Sequence, residues 1–308
     1  RRTVQSCSTL SLFSRTVKKL LIVDFYALFM RARSAMLRSG REFSSSEGVP
    51  TTGVFSFVNC LLSAIKDNSP THVVVCYDAG GNQRKQDDSE YKANRTAKDA
   101  KFKCEAQILL NEGLYALGIE SVGVRGYEAD DCIFTMADQA EFGPDAFDDV
   151  IIWTCDHDLL QCVTSKVSVL MFNTAKKQKL MGVQEVLETW NCTPKQIALV
   201  KALSGDASDN IKGVKGIGKK TAVKILEESG WMLNKVAEHA KIKDHIKQVQ
   251  ENLGLVQLRM VHDLGEINFD DYIIGRGIKT DYVEWLEKYE FSQLLKRADK
   301  TSKELSMV

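Results

Sequence analysis

The 308-residue chain is notable first for what is missing. Its eight cysteines contain no CxxC pair and fall mostly inside apolar runs, which argues against a disulfide framework or a zinc site and for free thiols in a reducing compartment. No apolar run approaches the roughly 20 residues of a membrane span. The five histidines, His72, His157, His239, His245 and His262, show no ligand spacing. There is no internal repeat. There is also no charge excess: 41 Lys and Arg balance 41 Asp and Glu, which argues against a protein that coats nucleic acid indiscriminately. Charge must therefore be read locally. The first twenty residues are the exception, with Arg1, Arg2, Arg15, Lys18 and Lys19 and no acid. That composition suits an organelle transit peptide or an arbitrary frayed end, so residues 1–19 are expected to be a basic disordered segment.

Three short apolar runs are present, and each delivers an aspartate. Leu20–Val23 ends at Asp24, Val73–Tyr77 at Asp78, and Val150–Thr154 is followed by Asp156 and Asp158. An amphipathic helix is predicted over 53–66, ended by Asn68, Ser69 and Pro70. Strands separated by helices imply a mostly parallel α/β sheet, whose ligand site lies beyond the carboxyl ends of the strands. One terminal Asp is an ordinary turn or cap residue. Three in register are harder to explain that way. Glu128, Asp130 and Asp131 then open a helix carrying Ile133, Met136, Ala137 and Ala140. One acid there would suit the helix dipole, whereas three crowd together unless cations hold them.

The segment 80–103 is polar and lacks hydrophobic periodicity, so it reads as a mobile loop or a weak solvated helix. Within it Tyr91, Lys92 and Arg95 form YKANR, an aromatic ring among cations beside the second strand's Asp78. After about residue 190 strand signals fade, and amphipathic segments are predicted near 243–262 and 281–297. The stretch SGDASDNIKGVKGIGKKTAVKIL, Ser204–Leu226, combines Asp206 and Asp209 with Gly213, Gly216 and Gly218 and with Lys212, Lys215, Lys219, Lys220 and Lys224. Glycines before a helix N-terminus let backbone N–H groups approach an anion. Without its neighbours GxGKK reads equally well as an ordinary helix corner. The upstream aspartates favour the phosphate reading, because they would repel phosphate without a metal between.

GDASDNIKGVKGIGKKTA resembles the helix–three-turn–helix signature of the 5′-nucleases, which include the 5′→3′ exonuclease domain of bacterial DNA polymerase I, phage 5′-exonucleases and flap endonucleases. The resemblance runs from about Leu20 to Leu295. It includes Asp24 with Arg31, Asp78, YKANR, EADD at 128–131, TCDHDLLQ at 154–161 and GDASDN at 205–210. It implies a PIN-like core over 20–190 with a helical arch at about 84–104, then a helical DNA-binding region over 191–300. It implies two Mg²⁺ or Mn²⁺ ions, with Asp24, Asp78, Glu128 and Asp130 on the first-metal side. Asp131, Asp156, Asp158, Asp206 and Asp209 fall on the second-metal side or its outer shell. Lys92 and Arg95 match a pair contacting the scissile phosphate, Tyr91 a ring stacking on a terminal base, and Arg31 another phosphate contact. Lys212, Gly213, Lys215, Gly216, Gly218, Lys219, Lys220 and Thr221 would grip the duplex, with K⁺ held by carbonyls near Ser204–Gly218.

The expected activity is structure-specific 5′→3′ exonuclease and flap cleavage of DNA, by a monomer with no polymerase domain in this chain. The expected setting is intracellular: a bacterial or phage cytoplasm, or an organelle. Phe25 and Cys155 stand where the family often has Gly, and Lys212 and Lys215 where bacterial members often have Pro. Two alternatives stand beside this reading, a non-catalytic DNA-junction binder and a PIN-type ribonuclease. An all-carboxylate set without His or Cys favours Mg²⁺ or Mn²⁺ over Zn²⁺ on chemistry alone.

Overall fold

The computed structural model describes residues 17–174, 177–274 and 281–306. The basic segment expected at residues 1–19 lies almost wholly outside them. In chain order the core elements are β1 (Lys19–Asp24), α1 (Phe25–Arg38), α2 (Thr52–Asn68), β2 (His72–Cys76), α3 (Gln83–Asp87) and α4 (Ala100–Ile108). A π turn leads α4 into α5 (Leu114–Ala116), followed by β3 (Glu120–Val122), α6 (Ala129–Phe142), β4 (Asp149–Thr154), β5 (Val167–Thr174) and β6 (Lys177–Met181). The six strands lie in the order β3-β2-β1-β4-β5-β6, parallel except for β6, which runs antiparallel to β5. The sequence announces β1, β2 and β4. The other three lie toward the sheet's two edges.

Alternation along the strands sorts side chains to two faces. Leu20, Ile22, Val74, Val150 and Ile152 pack on one side with Ile133 and Met136 of α6. Leu21, Val23, Val73, Val75 and Trp153 pack on the other with Phe25, Phe57 and Phe102 of α1, α2 and α4. Burial on both faces is why these strands read as unbroken apolar runs. Helix α2 stops because Ser69 turns into the left-handed region (φ 46°), its N–H bonding the Ile65 carbonyl at 2.8 Å, and Pro70 cannot continue the helix. Phe25 is wholly buried against Phe29 and Phe57. Phe25 is thus a core anchor on the α1–α2 side of the sheet.

The chain continues through α7 (Val183–Trp190), α8 (Ile197–Ser204), the two-residue strands β7 (Gly205–Asp206) and β8 (Ile211–Lys212), α9 (Lys219–Glu228), α10 (Leu233–Glu238) and α11 (Ile246–Val256). Val200, Leu203, Val223, Leu226 and Val249 from these helices join the α6 side of the core. The last helices, α12 (Asp281–Lys288), α13 (Ser292–Leu295) and α14 (Ala298–Ser306), instead pack Tyr282, Trp285, Leu286 and Leu294 on the α1–α2 side. All seven described cysteines are free. No helix among the described residues is long and apolar enough to cross a membrane.

Candidate metal and nucleic-acid site

Parallel register brings the strand-end carboxylates level. Asp24 pairs with Cys76 of β2, and Val23 with Trp153 of β4, so Thr154 lies beside Asp24 and donates its hydroxyl to it at 2.6 Å. Asp156 and Asp158 follow two and four residues beyond Thr154, in a turn closed by the Asp158 N–H donating to Asp156 (2.8 Å). Asp78, just past β2, accepts the Ala129 N–H at 2.8 Å and thereby caps the start of α6. Glu128 is that helix's N-cap residue, in a capping box with Asp131. One helix start therefore collects Asp78, Glu128, Asp130 and Asp131 beside the ends of β1 and β4.

Two classes of carboxylate result. Among the described residues, Asp24, Asp78, Asp130 and Asp156 have no Lys or Arg paired with them. Asp24 is pushed up to about 7 by burial first, with Thr154 opposing and Asp156 and Asp78 adding repulsion. Asp130 is raised well above the ordinary carboxylate range by burial and then by Asp156 and Asp24, and Asp156 is raised by burial. These acids repel one another in a poorly solvated spot. The chemistry of such a set fits a hard divalent cation: oxygen donors only, with no Lys or Arg bonded to any of them among the described residues.

The other five are held by protein cations. Arg84 binds Asp131 through two bonds (2.6 and 2.7 Å), reaches Glu128 at 3.1 Å and donates to the Gln257 carbonyl at 2.9 Å. Lys92 sits on Glu128, and Arg95 donates to Asp209 at 2.7 Å. Lys201 bridges Asp158 and Asp206, the latter at 2.5 Å. Burial opposes the charge of Asp206, but Lys201 and Ser208 outweigh it and hold that carboxyl below its usual range. All nine acids expected on the two metal sides thus gather at the strand ends, and Glu128, Asp131, Asp158, Asp206 and Asp209 are the ones that carry protein cations. No three His, Cys, Asp or Glu side chains among the described residues form a ready ligand group.

The 82–95 segment is closely fastened to this cluster. Lys92 adopts φ 56°, and its N–H bonds the Asp209 carbonyl at 2.9 Å. The Lys92 ammonium loses solvation but gains Glu128, Asp130 and Asp209, and its pKa ends above the ordinary lysine value. It is therefore a permanent cation. Tyr91 lies inside the protein. The ring is 3% exposed, packed with Ala198, Ile211 and Val256, and its hydroxyl donates to Glu128 (2.9 Å) and Asp209 (3.2 Å). No ring face is open to a terminal base. Sequence reasoning missed Arg84 and Lys201, both buried. Lys201 does leave a trace: it interrupts the otherwise apolar helix IALVKALS, where a cation needs a buried partner.

The lysine-rich stretch forms a hairpin and a helix start. Gly205 (φ 77°) and Gly213 press backbone to backbone, and a Cβ on Gly213 would lie 2.2 Å from the Ser204 carbonyl carbon. Asn252 of α11 donates to the Ala202 and Lys212 carbonyls, and Gln248 to Lys212 (each 2.9 Å), fixing the hairpin from below. Gly216 takes φ 78°, Gly218 caps α9, and Thr221 lies in its first turn. Lys212, Lys215 and Lys220 are exposed. Lys219 differs from them: its ammonium rests 3.5 Å from the centre of the Trp190 ring and donates to the Thr189 carbonyl at 3.0 Å. A hollow of about 510 Å³ lies between Ser204–Lys212 and Gly218–Lys219. Arg31 is exposed on α1 beside Cys155, whose thiol burial pushes up to about 12.

A family model described as "5'-3' exonuclease, N-terminal resolvase-like domain" matches residues 19–191, and one described as "5'-3' exonuclease, C-terminal SAM fold" matches 192–273. The 5′-3′ exonuclease of Bacillus subtilis (strain 168) is 38% identical over 252 residues, covering 81% of this chain and 83% of that protein. DNA polymerase I of Caldicellulosiruptor bescii is 33% identical over 291 residues, which is 91% of this chain but 33% of the polymerase. The chain thus spans about a third of that relative's length. Among solved structures, T5 5′-exonuclease with bound zinc superposes at TM-score 0.63 with 23% identity, covering 94% of this chain and all of that one. Flap endonuclease-1 from Methanococcus jannaschii gives TM-score 0.60 at 19% identity, covering 94% and 93%. These two share the fold.

Proposed function

Since the chain belongs to the 5′-3′ exonuclease family, we propose that it is a structure-specific 5′→3′ exonuclease and flap endonuclease acting on DNA in replication or repair. The observation that carries this is the meeting of Asp24, Asp130 and Asp156, raised by burial, with Lys92 and Arg95, which reach the neighbouring Glu128 and Asp209. Asp24, Asp78, Asp130 and Asp156 would hold one Mg²⁺ or Mn²⁺, and Glu128, Asp158, Asp206 and Asp209 would supply the donors for a second. When bound, such a pair polarises a water, neutralises charge on the phosphoryl oxygens and supports the leaving oxygen. T5 5′-exonuclease, which shares this fold, was solved with divalent ions, in keeping with that assignment.

The chain's own residues divide the remaining work. Lys92 and Arg95 bind the scissile phosphate as permanently charged groups, and the segment about 84–104 forms the arch that carries them. Arg31, exposed on α1, contacts the phosphate of the adjoining strand. Lys212, Lys215 and Lys220, with the backbone N–H groups around Gly216–Thr221, grip duplex phosphates without reading bases. Lys219 stiffens that helix start against Trp190. K⁺ in the hollow beside Ser204 would complete the duplex grip. The working unit is a monomer on flap or branched duplex DNA, with a nuclease core over 20–190 followed by the helical duplex-binding region.

The test is cleavage of a labelled 5′-flap duplex in Mg²⁺ and in EDTA, wild type beside Asp156→Asn. Cutting near the junction only with Mg²⁺ and only in the wild type, with duplex binding retained by the variant, is the expected result. Tight flap binding without cutting by the wild type would replace the nuclease with a junction binder. Faster cutting of a matched RNA would favour a ribonuclease.

A further inference from the structure

The cations around the acidic cluster are unevenly distributed, and that distribution has a consequence which rests on the metal reading above. Lys201 lies between Asp158 and Asp206 with its side chain 9% exposed, bonded to both carboxylates. Asn82, Arg84, Tyr91 and Lys92, all from one short segment, converge on Glu128. Tyr91, Lys92 and Arg95 converge on Asp209, Lys92 at 3.6 Å. The same segment is tied to the hairpin by Asn94 donating to the Ala207 carbonyl (3.0 Å) and Asn210 to the Glu90 carbonyl (2.8 Å). Asp24, Asp78, Asp130 and Asp156 carry no such partner among the described residues. One half of the cluster is open and the other is latched.

We infer that Lys201 is a resident counter-cation: its ammonium takes the position between Asp158 and Asp206 that a second divalent ion needs, so the two halves of the site load in order. The open half accepts an ion without displacing any basic side chain. The latched half accepts one only when Lys201 gives up at least one carboxylate, because an oxygen that coordinates an ion at about 2.1 Å cannot keep a short ammonium bond in the same direction. A bridged Asp–Lys–Asp trio still carries one net negative charge, which attracts the incoming ion but attracts it less than two bare carboxylates would. Lys92 and Arg95 face the same choice at Glu128 and Asp209. Lifting them from those acids frees both for a substrate phosphate, so second-ion loading and phosphate binding favour each other by linkage.

The experiment uses the full chain, without DNA, and Mn²⁺ as the probe, followed by calorimetry and by the free-Mn²⁺ paramagnetic resonance signal. Wild type should show two classes of site at least tenfold apart in affinity. Lys201→Met keeps an unbranched apolar stem, one atom shorter, and removes the charge. It should tighten the weaker class tenfold or more and the stronger class less, through Asp156, which also feels the Lys201 charge. A folded Lys201→Met protein whose weaker class is unchanged or weakened overturns the inference.

Unpaired Asp158 and Asp206 can compromise folding of that variant, so Arg95→Gln serves as the second. The Arg95 side chain is 51% exposed, and its loss should tighten the weaker class about threefold. An unchanged weaker class there counts against the latch. In the wild type, Mn²⁺ should also speed tryptic cleavage after Lys92 and Arg95, and indifference of that cleavage to Mn²⁺ would overturn the coupling. Two indistinguishable ions would sink the ordered loading while leaving the metal reading intact. Failure to bind any ion would bring down both.

Discussion

The guanidinium of Arg84 and the carboxylate of Asp131 meet through two parallel hydrogen bonds, 2.6 and 2.7 Å long, with both side chains at most 3% exposed. Asp131 also accepts the Arg259 N–H at 2.9 Å, and Arg84 reaches the Gln257 carbonyl. One ion pair thus joins the 82–95 segment, the start of α6 and the chain leaving α11. Removing one partner strands the other's charge in a dry site, which typically costs about 3–5 kcal/mol. Arg84→Met should lose that much in urea unfolding. Arg84→Met with Asp131→Leu should recover most of it. A double variant as unstable as the single one would mean that the pair itself, and not the orphaned charge, supplies the stability.

Gly213 sets the hairpin that presents the lysines. Its missing side chain lets the Ser204–Gly205 backbone approach so closely that a Cβ would lie 2.2 Å from a carbonyl carbon. No side-chain rotation relieves a backbone clash, so Gly213→Ala must push α8 and the hairpin apart. Duplex binding should fall tenfold or more while the sheet keeps its circular-dichroism signal. Asn252→Leu attacks the same hairpin from α11 by removing the side-chain donor to the Ala202 carbonyl and leaving Lys212 only Gln248, a cost of about 1–3 kcal/mol. Unaltered duplex affinity in both variants would show that DNA is gripped elsewhere.

Lys219 and Lys220 are adjacent in sequence and unlike in setting. Lys220 is exposed, so Lys220→Ala should reduce the slope of log K against log salt by about 0.9, the contribution of one phosphate contact, with no change in melting temperature. Lys219 is committed to the Trp190 ring and the Thr189 carbonyl. Lys219→Ala should therefore cost about 0.5–2 kcal/mol of stability. Titrations over a salt series separate the two. Equal slopes for both variants would mean that Lys219 leaves Trp190 when DNA arrives.

What the sequence discloses here follows from how local each feature is. The strands β1, β2 and β4 are legible because burial on both faces forces continuous β-branched runs, and their terminal aspartates follow from parallel topology. β3 is three residues long, and β6, KQKLM, is an antiparallel strand at the sheet edge with three polar residues in five. Neither offers a periodicity to read. The nine acids were all legible, but their division into open and latched groups was not. That division depends on where Arg84 and Lys201 end up, and a lone cation's partner is a tertiary fact. Tyr91 makes the same point: an aromatic among cations looks solvent-facing until Ala198, Ile211 and Val256 close around it.

Asp24 gives the pH prediction. Its folded pKa is raised from 3.8 to about 7, chiefly by burial. Between those values the folded protein holds a proton that the unfolded chain has released, so stability falls as pH rises through that window. The advantage is fully present below about 4 and lost above about 7, and it amounts to about 4 kcal/mol at most. Asp206 runs the other way: held below its usual range, it contributes stability that is lost as pH falls. A wild-type profile mixes the two, so the informative quantity is the difference from Asp24→Asn, which keeps the shape and cannot ionise. In EDTA that difference should be near zero at pH 4 and favour the variant by a few kcal/mol at pH 8. Adding Mg²⁺ at pH 8 should shrink or reverse it by stabilising only the protein that still carries the carboxylate. A difference flat from pH 4 to 8 would mean that Asp24 titrates as an ordinary surface acid, and the crowding of Asp24, Asp130 and Asp156 would then have to be relieved by some protein cation.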